Sequence, residues 1–279
     1  MRQKAKLADL ALSKAETRLS QIAGGDHIDA NKTNEVAVLV WCSHCNPVQR
    51  AHMELIQRAA QLVEREAQLP VVAAFLVPDA QENLELSFGL RVSLCQRACE
   101  ESDLVETCSW GWDCPRTIER IVHQLTAKLS WSGGLRWNFK PWCLVTHFED
   151  AVCQADVVYV GQAVNAPSED PPGTELQAKI REARRRIYEE RGGSKVIASA
   201  QPVSFVQQEM QLLQLLERHE LELVASSGLV SCKVLECLRH ALDEDTSHAD
   251  VGLPGPAGVQ SETESPVGGC GTCHEMLYP

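Results

Sequence analysis

The chain has no apolar stretch approaching the ~20 residues that a membrane span requires. It also has no basic excess: 26 Lys and Arg stand against 38 Asp and Glu, for a net charge of −12. Without an overall basic field to attract phosphate backbones, the balance argues against a nucleic-acid binder and leaves open only a local basic patch. The first 20 residues lack an apolar h-region and contain Asp9 and Glu16, which argues against a secretory signal and weakens a transit-peptide reading. No internal repeat is visible. These absences predict an intracellular, cytoplasmic protein with no membrane partner. Homo-oligomerisation stays open.

At 279 residues and 44% hydrophobic, the chain is long enough for one large core. Its twelve cysteines fall mostly inside helix or strand patterns, among them Cys95, Cys99, Cys143 and Cys237. That placement is typical of buried free thiols in an intracellular protein, and a chain of this size needs no disulfide staples.

The unbroken apolar run at 36–41 reads as a buried parallel strand. A short polar turn follows. Met53, Ile56, Ala60, Val63 and Ala67 then recur at helical spacing. Strand, turn and helix N-terminus together form an anion site, because free backbone N–H groups and the helix dipole point at whatever sits there. His52 stands at that point, placed to hold a phosphate.

A second apolar run, 71–77, ends at Pro78-Asp79 and leads into a helix carrying Val92, Cys95 and Cys99. Ile118, Ile121, Leu125 and Leu129 mark the next helix, and Gly133-Gly134 breaks the chain. Residues 104–105, 142–145, 157–160, 195–198 and 221–224 read as further strands. The stretch 165–173 reads as a surface loop, and the charged stretch 177–191 as a solvated helix. Residues 225–230 lead into a last helix. Alternating strands and helices predict an α/β fold, a Rossmann-like three-layer sandwich with a mostly parallel sheet. The expected organisation is an exposed helical extension and linker over 1–34, the α/β domain over 35–242, and a disordered tail over 243–279. Ligands in such folds sit at the carboxyl ends of the strands.

Three segments resemble motifs of the nucleotidylyltransferase superfamily. The turn Ser43-His-Cys-Asn-Pro-Val-Gln-Arg-Ala-His52 is similar to Gly-x-Phe-(Asp/Asn)-Pro followed by (His/Thr)-x-Gly-His. Asn46, Pro47 and His52 match. Ser43 and Cys45 stand for the glycine and the phenylalanine, Gln49 for the first His or Thr, and Ala51 for the second glycine. The segment 225–230 resembles Ile-Ser-Ser-(Thr/Ser)-x-x-(Arg/Lys). Ser226 and Ser227 match, and Ser231 replaces the basic residue. Lys233 lies two positions on, about 200° round a helix. The segment Ser109-Trp-Gly-Trp-Asp-Cys-Pro-Arg-Thr117 resembles the Trp-Glu…Thr segment of nicotinamide and nicotinate mononucleotide adenylyltransferases, with Asp113 in place of Glu. Arg91 matches that family's arginine at the start of its second helix.

The resemblance spans roughly 35–242. It implies adenylyl transfer from ATP to nicotinamide or nicotinate mononucleotide, with Mg²⁺ accompanying ATP. His52 and Gln49 would stabilise the transition state. Ser43, His44, Cys45, Asn46, Ser226, Ser227 and Lys233 would hold ATP, and Trp112, Asp113 and Arg91 the acceptor. A tryptophan face suits a cationic pyridinium. Asp113 would repel the added carboxylate of the nicotinate form, which favours nicotinamide.

The departures at 49 and 231 leave a second expectation, a non-catalytic nucleotide-binding homologue. A third is a transferase with another phosphorylated acceptor. Two Cys-x-x-Cys pairs, 42/45 and 270/273, leave open a metal-binding module, and Cys270-Gly-Thr-Cys-His274 fits a haem-attachment pattern.

Overall fold

The computed structural model describes residues 10–25, 32–81, 84–112, 116–146, 155–160, 196–199, 211–216, 218 and 220–248. The loop expected at 165–173, the charged helix at 177–191, Asp113 and the pair Cys270/Cys273 lie outside them.

The centre of the molecule is β1 (Thr33–Ser43), whose residues 36–40 are buried on both faces. It pairs in parallel with β2 (Val71–Pro78) on one side and β5 (Leu135–Val145) on the other. Outward from these lie β3 (Val105–Thr107) beside β2, then β6 (Asp156–Val160) and β7 (Val196–Ser199) beyond β5, all parallel. The order is β3-β2-β1-β5-β6-β7, and the short β4 (Trp131–Ser132) pairs antiparallel with β5. Gly133 and Gly134, at φ +62° and +75°, turn that hairpin. Two consecutive positive φ values define the tight turn whose twist suits adjoining strands.

Strand residues alternate between faces, so β1 feeds two cores. Ala37, Leu39 and Trp41 meet one layer, built by α2 (Arg50–Ala67), α3 (Phe88–Cys99), the helical residues 211–216, α5 (Leu221–Ser227) and α6 (Cys232–His248). Val36, Val38 and Val40 meet the other, built by α1 (Ser13–Ala23) and α4 (Arg116–Leu129). Helices on both faces of a mostly parallel sheet make this a Rossmann-like α/β sandwich. The apolar runs 36–41 and 71–77 are the adjacent central strands expected, with α2 between them in sequence. The eight cysteines among the described residues are free thiols.

Two local expectations are corrected. Leu221-Glu-Leu-Val224 opens α5 and is not a strand; its alternation is too short to separate from a helical turn with one buried side chain, Val224. The leading helix is present but not exposed. Ala15 and Leu19 are buried in the second core. Lys14 Nζ donates to the carbonyls of Cys99 and Val105 at 2.7 and 2.6 Å, and Arg18 Nε to that of Val71 at 3.0 Å. The helix closes the sheet surface beside β2.

Truncating Leu19 removes a fully buried side chain from that contact. Leu19→Ala is expected to cost about 2–4 kcal/mol in urea unfolding. An unchanged midpoint would mean that α1 does not dock.

Candidate functional site

The sheet grows one way from β1 through β2 to β3 and the other way through β5, β6 and β7. The crevice outside the carboxyl ends of β1 and β5 is therefore the topological switch point, where ligands of open α/β sheets bind. The turn from Ser43 to Gln49 and the first turn of α2 stand at its edge.

His52 is fixed from two sides. Its Nδ1 accepts the Gln49 backbone N–H at 3.1 Å, and its Nε2 lies 3.2 Å from Ser43 Oγ. An Nδ1 that accepts carries no proton, so the proton sits on Nε2 and points at the end of β1. The ring rests against Trp41, with centroids 5.2 Å apart. Only 5% of the residue is exposed, and this burial pulls its pKa from the usual 6.5 down to about 4. His52 is a neutral N–H donor near pH 7, not the cation that a charge-stabilising role would favour.

Gln49 is the N-cap of α2, extended at φ −119°. Its carboxamide faces the His52 amide in a capping-box arrangement, yet neither Oε1 nor Nε2 reaches a hydrogen bond of good geometry among the described residues. The side chain is 2% exposed and lines a pocket between α2, α3 and α6. The first amide of α2 is already satisfied, since Arg50 N–H donates to Leu229 O at 2.9 Å.

Residues between Ser43 and Gln49 are held by neighbouring loops. Cys45 sits in the left-handed region at φ +48°. Asn46 Oδ1 accepts from the Leu86 amide at 3.1 Å, while its Nδ2 donates to the Glu85 carboxylate. His44 is half exposed, with Nδ1 3.6 Å from an Asp79 carboxylate oxygen. Arg91 ties these loops together. Its guanidinium donates to the carbonyls of Leu86 (3.0 Å), His44 (2.8 Å), Asp79 (2.7 Å) and Gln81 (2.7 Å), and is fully buried. Arg91 was expected at the acceptor. Four of its five N–H donors go to chain carbonyls and none of it is exposed, so the structure gives it the place of a loop clamp rather than of an acceptor ligand.

The serine pair is corrected as well. Ser226 and Ser227 close α5 rather than open α6, and their hydroxyls donate back to the carbonyls of Leu223 and Val224. Gly228 at φ +67° ends that helix. A helix C-terminus carries the negative end of the dipole and repels phosphate. The segment does reach the first turn of α2, but through the carbonyl of Leu229. Lys233 is directed to α3, with Nζ 2.9 Å from a Glu100 oxygen, and not to the turn.

Trp112 lies after β3, also at the carboxyl edge, half-buried against the α4-side core. Gly111 beside it is at φ +73°, and a Cβ there would come within 2.9 Å of Ala80. Thr117 Oγ1 pins this turn by donating to Gly111 O at 3.2 Å. Among the described residues no three His, Cys, Asp or Glu side chains are grouped to hold a metal. No described helix is long and apolar enough to cross a membrane. The sequence reading missed Asp79, the partner of His44, although a polar residue directly after an apolar strand is the usual signal for such a position. It also missed Glu85 and Leu229, which the sequence does not mark.

No protein-family model matches the chain, and no curated protein matches it. Among solved structures, nicotinic acid mononucleotide adenylyltransferase of Plasmodium falciparum, complexed with APC or with NaAD, is similar at 8% identity and a TM-score of 0.44, covering 75% of this chain and 98% of that one. A Vibrio parahaemolyticus protein assigned as a nicotinate-nucleotide adenylyltransferase is similar at 14% identity and a TM-score of 0.34, covering 73% and 98%. At these values the functional reading stands on this chain's own residues.

Two outcomes follow from the geometry. Arg91→Met leaves four part-buried carbonyls without this donor, and Arg91→Lys cannot span them with one ammonium. Both should lower unfolding free energy, the first by about 3–5 kcal/mol. If Arg91 bound an acceptor instead, stability would be unchanged and the acceptor KM would rise. His52 has its own pH signature. Its folded pKa lies below the unfolded value, so the unfolded chain takes up a proton that the folded chain refuses. Stability is fully present above about pH 6.5 and falls toward pH 4, by on the order of 3 kcal/mol. His52→Asn should flatten that part of a stability-versus-pH curve.

Proposed function

We propose that the chain binds ATP with its phosphates at the β1–α2 turn and transfers the adenylyl group to nicotinamide mononucleotide. The products are the dinucleotide and pyrophosphate. The observation that carries this reading is the Nε2–H of His52, held in one tautomer at the switch-point edge of the sheet, within a turn similar to the superfamily's phosphate-binding signature.

In this mechanism the mononucleotide phosphate attacks the α-phosphorus directly. The new O–P bond forms as the bond to the pyrophosphate oxygen breaks, with no covalent intermediate on the protein. His52 Nε2–H and the Ser43 hydroxyl turn from each other to the phosphate oxygens, and the exposed His44 adds a third donor. Such preorganised donors contribute most where charge develops. Mg²⁺ carried in with the triphosphate would neutralise the departing pyrophosphate. Trp112 offers the pyridinium an aromatic face.

A second reading, ATP binding without turnover, has specific support. His52 is neutral, Gln49 carries no charge, Arg91 is committed to carbonyls and Lys233 to Glu100. Each missing donor of charge costs a transferase rate that it must recover elsewhere.

A pyrophosphate-release assay with ATP and a panel of mononucleotides and phosphoesters separates the two. For an enzyme, His52→Ala should lower kcat by roughly 10²–10³ with a smaller effect on the ATP KM. Trp112→Ala should weaken nicotinamide mononucleotide by about 5–30-fold and leave ATP nearly untouched. Wild-type protein that binds ATP but releases no pyrophosphate above the His52→Ala background is a binding protein. Release with a different phosphoester moves the acceptor assignment and keeps the site.

A further inference from the structure

The turn after β1 carries a second histidine in surroundings opposite to those of His52. His44 directly follows β1 and Asp79 directly follows β2, and the two strand ends are paired, Ser43 opposite Pro78. Asp79 is fixed at three points. Its backbone N–H donates to Ser43 O at 3.0 Å, its carbonyl accepts from Arg91 Nη1 at 2.7 Å, and its Oδ1 accepts from the Gln81 amide at 3.2 Å. The same Arg91 nitrogen donates to the His44 carbonyl at 2.8 Å. One buried cation thus sets both backbones. The remaining carboxylate oxygen, Oδ2, lies 3.6 Å from His44 Nδ1. Ala80, next to Asp79, stands where a Cβ on Gly111 would meet it at 2.9 Å. The pair therefore links the turn of His52 to the turn of Trp112 along the carboxyl edge of the sheet.

The two rings differ in what they can offer. His52 accepts an amide at Nδ1, so it donates from Nε2 while neutral. At His44 a carboxylate faces Nδ1 and favours a proton there. The His44 side chain is 53% exposed, and its Nε2 has no partner among the described residues. That nitrogen can donate to a phosphate only if the ring takes a second proton. A carboxylate on one nitrogen and a phosphate on the other both stabilise the resulting imidazolium. We propose that Asp79 is a positioning residue for the phosphate site, and that His44 takes up a proton when a phosphate binds. The positive charge that His52 does not supply is then acquired with the ligand. The inference rests on the phosphate site proposed above. The other charged groups on the elements around His44 are Arg91 at its carbonyl, Glu85 held by Asn46, and the exposed Arg50. His52, with its pKa near 4, keeps its protonation state from pH 6 to 8.

The test uses the full chain and a non-hydrolysable ATP analogue with Mg²⁺. Nitrogen-15 spectra report the state of each ring, with His44 assigned by His44→Gln. In the complex at pH 7.5, wild type should show both His44 nitrogens protonated, and Asp79→Asn should show a neutral His44. Calorimetry in two buffers of different ionisation enthalpy should find proton uptake on binding that His44→Gln lacks. The wild-type Kd should tighten by about 3–10-fold from pH 8 to pH 6.5, and that of His44→Gln by clearly less. Asp79→Asn keeps both backbone bonds and an acceptor for the Gln81 amide, so it should melt close to wild type. If it does not fold, wild type against His44→Gln, a change at a half-exposed side chain, carries the test. A His44 that stays neutral in the complex overturns the inference and leaves the phosphate site standing. So does proton uptake equal in wild type and His44→Gln. A His44 still fully protonated in the Asp79→Asn complex overturns the role of Asp79. An analogue that does not bind wild type overturns the nucleotide reading and this inference with it.

Discussion

A buried guanidinium organises the edge of the sheet where this protein's chemistry would take place. Arg91 is fully buried and has no ion-pair partner among the described residues, so its charge is balanced by carbonyl dipoles and by the face of Phe88, 5.7 Å away. The carbonyls come from two loops, one after β1 and one after β2. Satisfying the cation therefore fixes both loops against α3. Asn46 repeats the connection through Leu86 and Glu85. Loops at a sheet edge are ordinarily the least constrained part of a domain. Here the desolvation cost of one arginine forces them into a single arrangement.

That arrangement decides the state of His52. With the turn held, the Gln49 amide can lie only against Nδ1, and Ser43 closes the other nitrogen. The imidazole is packed on Trp41 and shielded from water, and so stays neutral near pH 7. A site built this way offers oriented N–H dipoles rather than fixed positive charge. Besides the buried Arg91 guanidinium, whose N–H groups face chain carbonyls, the turn's charged side chain among the described residues is the exposed Arg50. This is the physical reason that binding and turnover have to be considered separately for this chain.

The sheet and its central helix were legible in the sequence. An unbroken apolar run such as 36–41 has no stable place except a strand covered on both faces, and the stripe from Met53 to Ala67 has none except a helix on that strand. The turn between them was legible for the same reason. The serine pair was misplaced because Leu221-Glu-Leu-Val224 alternates over four residues, which suits a strand or one turn of helix equally. The glycine after Ser227 was the better signal, since a glycine directly behind polar residues commonly ends a helix. Arg91 was misassigned for another reason. Sequence spacing places an arginine on a helix but does not show which loops fold over it, and here their carbonyls take four of its five N–H donors and bury the group. The burial of α1 was obscured because Lys14 and Arg18 look solvated in sequence, while in the fold they reach backbone carbonyls across the sheet.

The central claim is that His52 stands at the switch point as a neutral imidazole with its proton on Nε2, available to a phosphate. It is tested most directly by nitrogen-15 spectra of the histidine side chains, with His52 assigned by His52→Asn, recorded from pH 5 to 8 with and without a non-hydrolysable ATP analogue. The account predicts an Nδ1 of pyridine type and a protonated Nε2 across that whole range, with the Nε2 resonance alone shifting strongly when the nucleotide binds. A His52 that titrates near pH 6.5, or resonances indifferent to saturating nucleotide, would contradict it.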